Sequence, residues 1–233
     1  EKTMVDMIVL GKKRYMAYLL HGKEVDEDPL IKGVLSARRD NCEWQREVYT
    51  ECALMCLKEA RLEDVVRYLV SEVLKLLNGE VPVDKLVETT TIKQSYKSET
   101  STNAVFKRRA ETEMGLDIAE NMRLEYVLMK KDNVRRKGEK MEMLSTFRDL
   151  EAAGKNPELD LMAYVIRLIK PIDELIFKSY KHILDKDYIG RGMKIGPHYY
   201  TMGKPMKMIE RLLKKYPQSM LPIHIEEIVS CIN

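Results

Sequence analysis

No apolar run in this chain of 233 residues approaches the roughly 20 residues needed to span a bilayer, so no membrane-spanning helix is expected. Cysteine is scarce as well. Cys42, Cys52, Cys56 and Cys231 form no C-x-x-C pair and fall in helix-like or terminal sequence, which argues against a zinc ribbon or a disulfide framework and for a reducing, intracellular compartment. Cys52 and Cys56 share a helix face at i, i+4, but a metal there would need further ligands, whereas a small buried hydrophobe needs none. The N-terminus carries neither a signal-peptide pattern nor an initiator Met, and the chain beginning at Glu1 reads as a piece of something longer.

Catalytic signatures are also missing. There is no G-x-S-x-G, no H-E-x-x-H, no Walker lysine and no paired Asp between apolar strands that would hold two metal ions. His21, His182, His198 and His224 are dispersed without metal-ligand spacing and read as surface or capping residues. Gly190, Gly192 and Gly196 have the wrong spacing for a phosphate-binding G-x-G-x-x-G loop. The formal charge is only +3, from 40 Lys+Arg against 37 Asp+Glu, so an anionic partner has to be argued from where cations cluster.

What is present is a chain able to bury a core, 45% hydrophobic and 33% charged. Residues 4 to 20, "MVDMIVLGKKRYMAYLL", are β-branched and aromatic around Gly11 and suggest a hairpin or a bulged strand pair. Helical periodicity follows in "NCEWQREVYTECALMCLKEA" and "LEDVVRYLVSEVLKLLNGE". The latter aligns Leu62, Val65, Val66, Leu69, Val70, Val73, Leu74 and Leu77, with Gly79 where a C-terminal cap belongs. "VPVDKLVETTTI" reads as a turn or short helix leading into an edge strand. "RLEYVLMKK" reads as a strand, and "EKMEMLSTFRDLEAAGKNP" as a surface helix or loop. "PELDLMAYVIRLIKPIDELIFKSYKHIL" reads as a long buried helix that Pro171 kinks or interrupts. The expected class is α+β, predominantly α-helical.

The cations gather in three places: "KKRY" with Lys12, Lys13, Arg14 and Tyr15; "KGVLSARRD" with Lys32, Arg38 and Arg39; and "KQSYK…FKRR" with Lys93, Tyr96, Lys97, Lys107, Arg108 and Arg109. Consecutive cations in an apolar strand cannot all share one solvated face, because successive side chains alternate. Lys and Arg interleaved with Tyr is the pattern expected where phosphates are neutralised and a sugar or base edge is touched.

In this order the segments resemble the end of the palm and the whole thumb of a family B DNA polymerase, from about residue 4 to residue 184. The resemblance implies a palm edge over 1–30, with a β-hairpin, a thumb over 31–184 with a short β element, and a C-terminal extension over 185–233. It would place Lys12, Lys13, Arg14 and Tyr15 along the minor groove and backbone of the nascent duplex. Lys32, Arg38 and Arg39 would lie at the palm-to-thumb passage, with Asp40 holding one arginine by a bidentate pair. Thr91, Lys93, Tyr96, Lys97, Lys107 and Arg108 would grip phosphates behind the active site.

This chain departs from the family pattern in three ways. "STNAV" replaces a Pro-His-Val, so that a histidine contact to the backbone is absent or replaced by Ser101, Thr102 or Asn103; Asn121 replaces the glycine of a "G-x-x-V-x-Y-V" turn; and C-terminal cysteine modules are lacking, which points to a viral or divergent member. The implied partners are primer–template DNA, the remainder of the polymerase chain and a processivity or accessory protein; the last apolar segment, "LPIHIEEIVSCI", would bind that protein or pack on the palm. The implied compartment is the nucleus or a cytoplasmic viral replication site. The Mg²⁺ ligands of the parent enzyme would lie upstream of Glu1, with no ion bound by this chain. The competing reading is a non-catalytic helical binding module whose basic strand and helices meet RNA or an acidic protein.

Overall fold

The computed structural model describes residues 3–119, 121–131, 134 and 136–180. Cys231, His182, His198, His224, the glycines at 190, 192 and 196, and the whole extension expected over 185–233 lie outside them. In chain order the elements are β1 (Thr3–Gly11), β2 (Arg14–His21), β3 (Glu24–Val25), β4 (Leu30–Lys32), α1 (Glu43–Leu57), α2 (Leu62–Leu77), β5 (Glu88–Thr91), α3 (Thr102–Met114), β6 (Arg123–Leu128), α4 (Lys137–Lys140), β7 (Met141–Met143), α5 (Leu144–Ala152) and α6 (Leu161–Ser179). Single 3₁₀ turns cover Leu35–Ala37 and Val83–Leu86. The class is α+β, as expected. Among the described residues no helix is long and apolar enough to cross a membrane.

The described residues divide into two compact units, one within 3–34, 49–72 and 167–180, the other within 35–48 and 73–166. In the first, β1, β2 and β3 run antiparallel in that order and β4 pairs with β2. Met16, Ala17, Tyr18 and Leu19 are all buried, and because successive strand residues face opposite ways, β2 is covered on both faces. That explains a run with no polar alternation. β1 bulges where Val5 pairs with Tyr18 and Ile8 with Met16, leaving Asp6 and Met7 opposite Ala17, with Asp6 left-handed at φ 46°.

Helical sequence supplies the rest of this unit. Tyr49, Cys52, Ala53 and Cys56 of α1, Leu62, Val65, Val66 and Leu69 of α2, and Leu168, Ile169, Ile172, Leu175 and Ile176 of α6 are buried. The Tyr180 hydroxyl donates to Ala60 O at 2.6 Å. Pro171 lies inside α6 and does not interrupt it. A proline there removes a backbone donor and crowds the preceding turn, and the buried stripe on either side holds the helix together regardless. Gly79 ends α2 at φ 75°, with Glu80 N donating to Lys75 O at 2.9 Å, as the sequence indicates.

In the second unit β5, β6 and β7 form an antiparallel sheet with β5 at an edge. The expected turn and edge strand are both present. The segment expected to be a surface helix or loop is instead anchored: Met141 is fully buried in β7, and Phe147 of α5, 1% exposed, joins Val127, Met129 and Leu144 in one cluster. Phe106 of α3 meets Tyr126 of β6 with ring centroids 5.5 Å apart. Tyr164 Oη accepts from Leu128 N at 2.9 Å, and Gln45 Nε2 donates to Tyr164 O at 2.9 Å.

Charge is buried here only with partners. Glu88 is fully buried; its Oε2 accepts from Tyr126 Oη at 2.5 Å and from Lys137 Nζ at 2.8 Å. Arg109, at 12% exposure, bonds Glu113, Glu142 and the carbonyls of Glu139 and Met141, so that one side chain fastens α3 to α4 and β7. Removing one member of such a buried set strands the other.

Two outcomes follow from these buried groups. Lys137→Ala removes the cation from the buried Glu88 carboxylate, which keeps its hydrogen bond from Tyr126, and is expected to cost about 3 kcal/mol in denaturant unfolding, while Lys137→Met with Glu88→Gln recovers most of that loss. In the first unit, burial pushes the Asp173 carboxyl up to about 7, and its Oδ1 has no hydrogen-bond partner among the described residues. A carboxyl raised in the folded state holds its proton more tightly than in the unfolded chain. Its stabilising contribution is therefore complete below the ordinary carboxylate range and is lost as pH rises through about 7. The stability of Asp173→Asn relative to the parent should rise between about pH 4 and pH 8; a flat difference across that window contradicts the assignment.

Candidate nucleic-acid interface

The three cationic stretches are placed differently from what strand alternation suggests. Lys12 and Lys13 are not in a strand: Gly11 pairs with Arg14, and the two lysines form the exposed turn between β1 and β2, with Lys13 left-handed at φ 61°. The alternation argument therefore reaches only Arg14 and Tyr15. Arg14 turns back into the unit, where Nη2 and Nη1 donate to the two carboxylate oxygens of Glu174 at 2.7 and 2.9 Å. Nη2 also reaches Leu10 O at 3.4 Å, across the hairpin end.

Gly33 explains the glycine of the second stretch. At φ 62° it lies so close to the turn that a Cβ there would stand 2.2 Å from Lys13 O, a separation no side chain tolerates. Lys32, one residue before, is the register partner of Tyr15, and directly opposed residues of an antiparallel pair share a face. The first unit thus gathers Lys12, Lys13, Tyr15 and Lys32 at one end of its sheet.

In the second unit Arg38 forms the expected bidentate pair with Asp40, at 3.1 Å from Nε and 2.5 Å from Nη2. Arg39 is fixed through its backbone: Thr89 Oγ1 donates to Arg39 O at 3.2 Å. Thr91 ends β5, exposed. Beyond it, Lys93 N donates to Tyr96 Oη at 2.9 Å, and Lys107 Nζ donates to Gln94 O at 2.8 Å, so the tyrosine and one lysine of the motif shape the loop that presents Lys93 and Lys97. Ser101 caps α3 by accepting from Ala104 N at 3.4 Å. Asn103 Nδ2 donates to Thr90 Oγ1 at 3.0 Å, and Thr102 is exposed. Asn121 is left-handed at φ 61°, as expected where it replaces glycine.

Pairing separates the cations into two groups. Lys85, Arg109, Lys130, Lys131, Lys137, Lys140 and Arg148 each meet a carboxylate, and so do Arg14, Arg38 and Lys107 of the expected site. The salt links of Arg14 and Arg38 hold their guanidinium groups charged, each mainly through the hydrogen bond to its acid. Lys12, Lys13, Lys32, Arg39, Lys93, Lys97 and Arg108 meet no acidic side chain among the described residues. One exposed cation that the sequence does not single out, Arg123, comes to the face of Thr91, its register partner. Strand pairing across an intervening helix leaves no local signal by which to find it.

Metal chemistry has no footing in the described residues, where no group of three or more His, Cys, Asp or Glu converges. The thiols are poor ligands: burial pushes Cys52 far above the usual thiol range and Cys56 up to about 11, the latter despite hydrogen bonds with Ser179 and Tyr180.

A family model described as DNA polymerase family B matches residues 1–179. The chain is 26% identical over 182 residues to the DNA polymerase of Pyramimonas orientalis virus, covering 76% of this chain and 15% of that protein. It is 31% identical over 140 residues to the DNA polymerase of Acanthamoeba polyphaga mimivirus, covering 59% of this chain and 8% of that protein. With the DNA polymerase of Trichoplusia ni ascovirus 2c it shares 22% identity over 221 residues, covering 75% of this chain and 21% of that protein. It thus spans between 8% and 21% of the length of these curated relatives. Among solved structures, the family B DNA polymerase of the hyperthermophilic archaeon Pyrobaculum calidifontis has the same fold over 72% of this chain and 20% of that one, with a TM-score of 0.50 and 18% identity.

Because Glu174 holds Arg14 at the foot of the turn, Glu174→Ala should loosen the turn without unfolding the chain. Amide exchange at Lys12, Lys13 and Arg14 is expected to quicken by an order of magnitude or more while that of α2 stays unchanged. Equal exchange at the turn in both proteins refutes the tie.

Proposed function

The chain belongs to DNA polymerase family B, and on that premise we propose that it forms the palm edge (1–30), thumb (31–184) and a C-terminal extension (185–233) of a DNA-directed DNA polymerase. Its work is to grip primer–template duplex. The observation that carries this reading is a set of cations in the motifs of the polymerase resemblance, Lys12, Lys13, Lys32, Lys93, Lys97 and Arg108, that meet no acidic side chain among the described residues, whereas Lys85, Arg109, Lys130 and Lys137 are paired with carboxylates.

Lys12 and Lys13, at a turn tip, reach into the minor groove, where every base pair presents acceptor atoms irrespective of sequence. Tyr15 and Lys32 contact the adjoining backbone. Arg14 and Arg38, spent on Glu174 and Asp40, hold the neighbouring cations in place. Lys93, Lys97 and Arg108 neutralise phosphates along the duplex, with Thr91 adding a hydroxyl donor; Tyr96 and Lys107 keep the loop in shape. Phosphate contacts of this kind fix register and carry no sequence information.

Nucleotidyl transfer itself, and the divalent metal that family membership suggests for the parent enzyme, belong to the remainder of the polymerase chain, since the carboxylates described here do not converge. The viral relatives suggest a viral replication site as the place of action.

The direct test is binding, across a salt series, to a recessed primer–template, a blunt duplex and single-stranded DNA of matched length. Duplex preference with a steep salt dependence, about −0.9 in log–log slope per phosphate neutralised, supports the grip. Preference for RNA, or no preference among the three, favours a binding module of another kind. In the full-length enzyme Lys13→Ala is expected to slow extension more than it weakens duplex affinity. Lys97→Ala should make the salt slope shallower by about one and shorten the DNA made per binding event. Unchanged extension kinetics for the first, or an unchanged slope for the second, removes that residue from the grip.

A further inference from the structure

We infer that Arg123, at an unassigned position of the "G-x-x-V-x-Y-V" turn that Asn121 opens, is a further phosphate-binding residue of the second unit; this rests on the reading of the chain as a DNA grip and extends it by one contact. β5 and β6 pair antiparallel with Thr91 opposite Arg123 and Thr89 opposite Glu125. Opposed residues share a face, and so do residues two apart on one strand. Thr89, Thr91, Arg123 and Glu125 therefore stand on one side of the ribbon, while Glu88 and Tyr126 lie buried on the other.

Arg123 is aimed as well as exposed. Its Nη2 donates to Thr89 Oγ1 at 3.0 Å, and the same hydroxyl donates to Arg39 O at 3.2 Å. One threonine thus spaces two arginines, Arg39 and Arg123, along the edge that ends in Thr91. A guanidinium has five N–H donors in a planar fork, and one of them is spent on Thr89, so the remainder are available to bind a phosphate in two-pronged fashion.

The space to receive one is there. Arg123 borders an open groove of about 420 Å³ that is also lined by Met122, Glu125, Met143, Ser145 and Arg148. Arg148 is already paired with Asp84 at 2.7 Å, which leaves Arg123 as the cation of that groove that meets no acidic partner among the described residues. Glu125 lies on the same face beside Thr89 and repels a phosphate from that end. The favourable position is accordingly toward Thr91, where the strand runs on into Lys93.

The test uses the full-length polymerase and a blunt DNA duplex of fixed length in a salt series, with Arg123→Ala, Arg123→Lys and Lys97→Ala beside the parent. Arg123→Ala is expected to make the log–log salt slope shallower by about one, equivalent to about an eightfold loss of affinity at 0.1 M salt. Arg123→Lys, which keeps the charge, should retain the slope. If the slope of Arg123→Ala matches the parent while that of Lys97→Ala falls, Arg123 only braces Thr89 and the inference is overturned with the grip intact. If both variants keep the parental slope, the grip itself is wrong and the inference goes with it. A slope lost in Arg123→Lys as fully as in Arg123→Ala also overturns it, because a phosphate contact answers to charge and a brace to shape.

Discussion

The bidentate pair between Arg14 and Glu174 joins residues 160 positions apart and settles where the first hairpin ends in space. β1 and β2 would form without it, since β-branched and aromatic residues on both strands make a pair that packing favours. What the pair adds is direction: the strand that follows the two lysines is moored to α6, and Gly33 admits the Lys13 carbonyl from the other side. Both side chains of the pair are partly exposed, so its contribution to stability is modest and its contribution to geometry is the larger one.

The same economy governs charge throughout the chain. With 40 basic and 37 acidic side chains, net charge says nothing about an anionic partner, yet the folded arrangement is far from even-handed. Acids in the second unit are drawn inward by structural duties, Glu88 to Lys137 and Tyr126, Glu142 to Arg109 and Lys131, Asp160 to Lys140. The cations at the β1–β2 turn, on Lys32 and on the loop after β5 have no such duty. Acids used as internal fasteners in the second unit leave these cations without neutralising partners, although the net charge is only +3.

Much of this was legible in the amino-acid sequence and some of it was not, for reasons of range. The hairpin, α2 with its Gly79 cap and the edge strand after Pro82 follow from periodicity and turn chemistry, both local. So does the Arg38–Asp40 pair, whose partners are two residues apart. The family order of motifs led correctly to DNA polymerase family B. The turn at Lys12 and Lys13 was misread as strand because its residues are not turn formers; tertiary ties outweigh propensity there. β7, three residues within a helix-like stretch, and the alignment of Arg123 with Thr91 depend on pairings between distant segments that no single window records. The anchoring of Arg14 by Glu174 is of the same kind.

Lys13 carries a cost that Lys12 does not. A left-handed backbone is uncomfortable for any residue with a Cβ, by about 1 kcal/mol, and glycine or asparagine is the usual occupant. A lysine there means that the chain accepts conformational strain at the tip of the hairpin in exchange for a second ammonium group. In the proposed grip, stability and binding are then opposed at one residue: the glycine that would relax the backbone would also remove the charge that the proposal assigns to DNA.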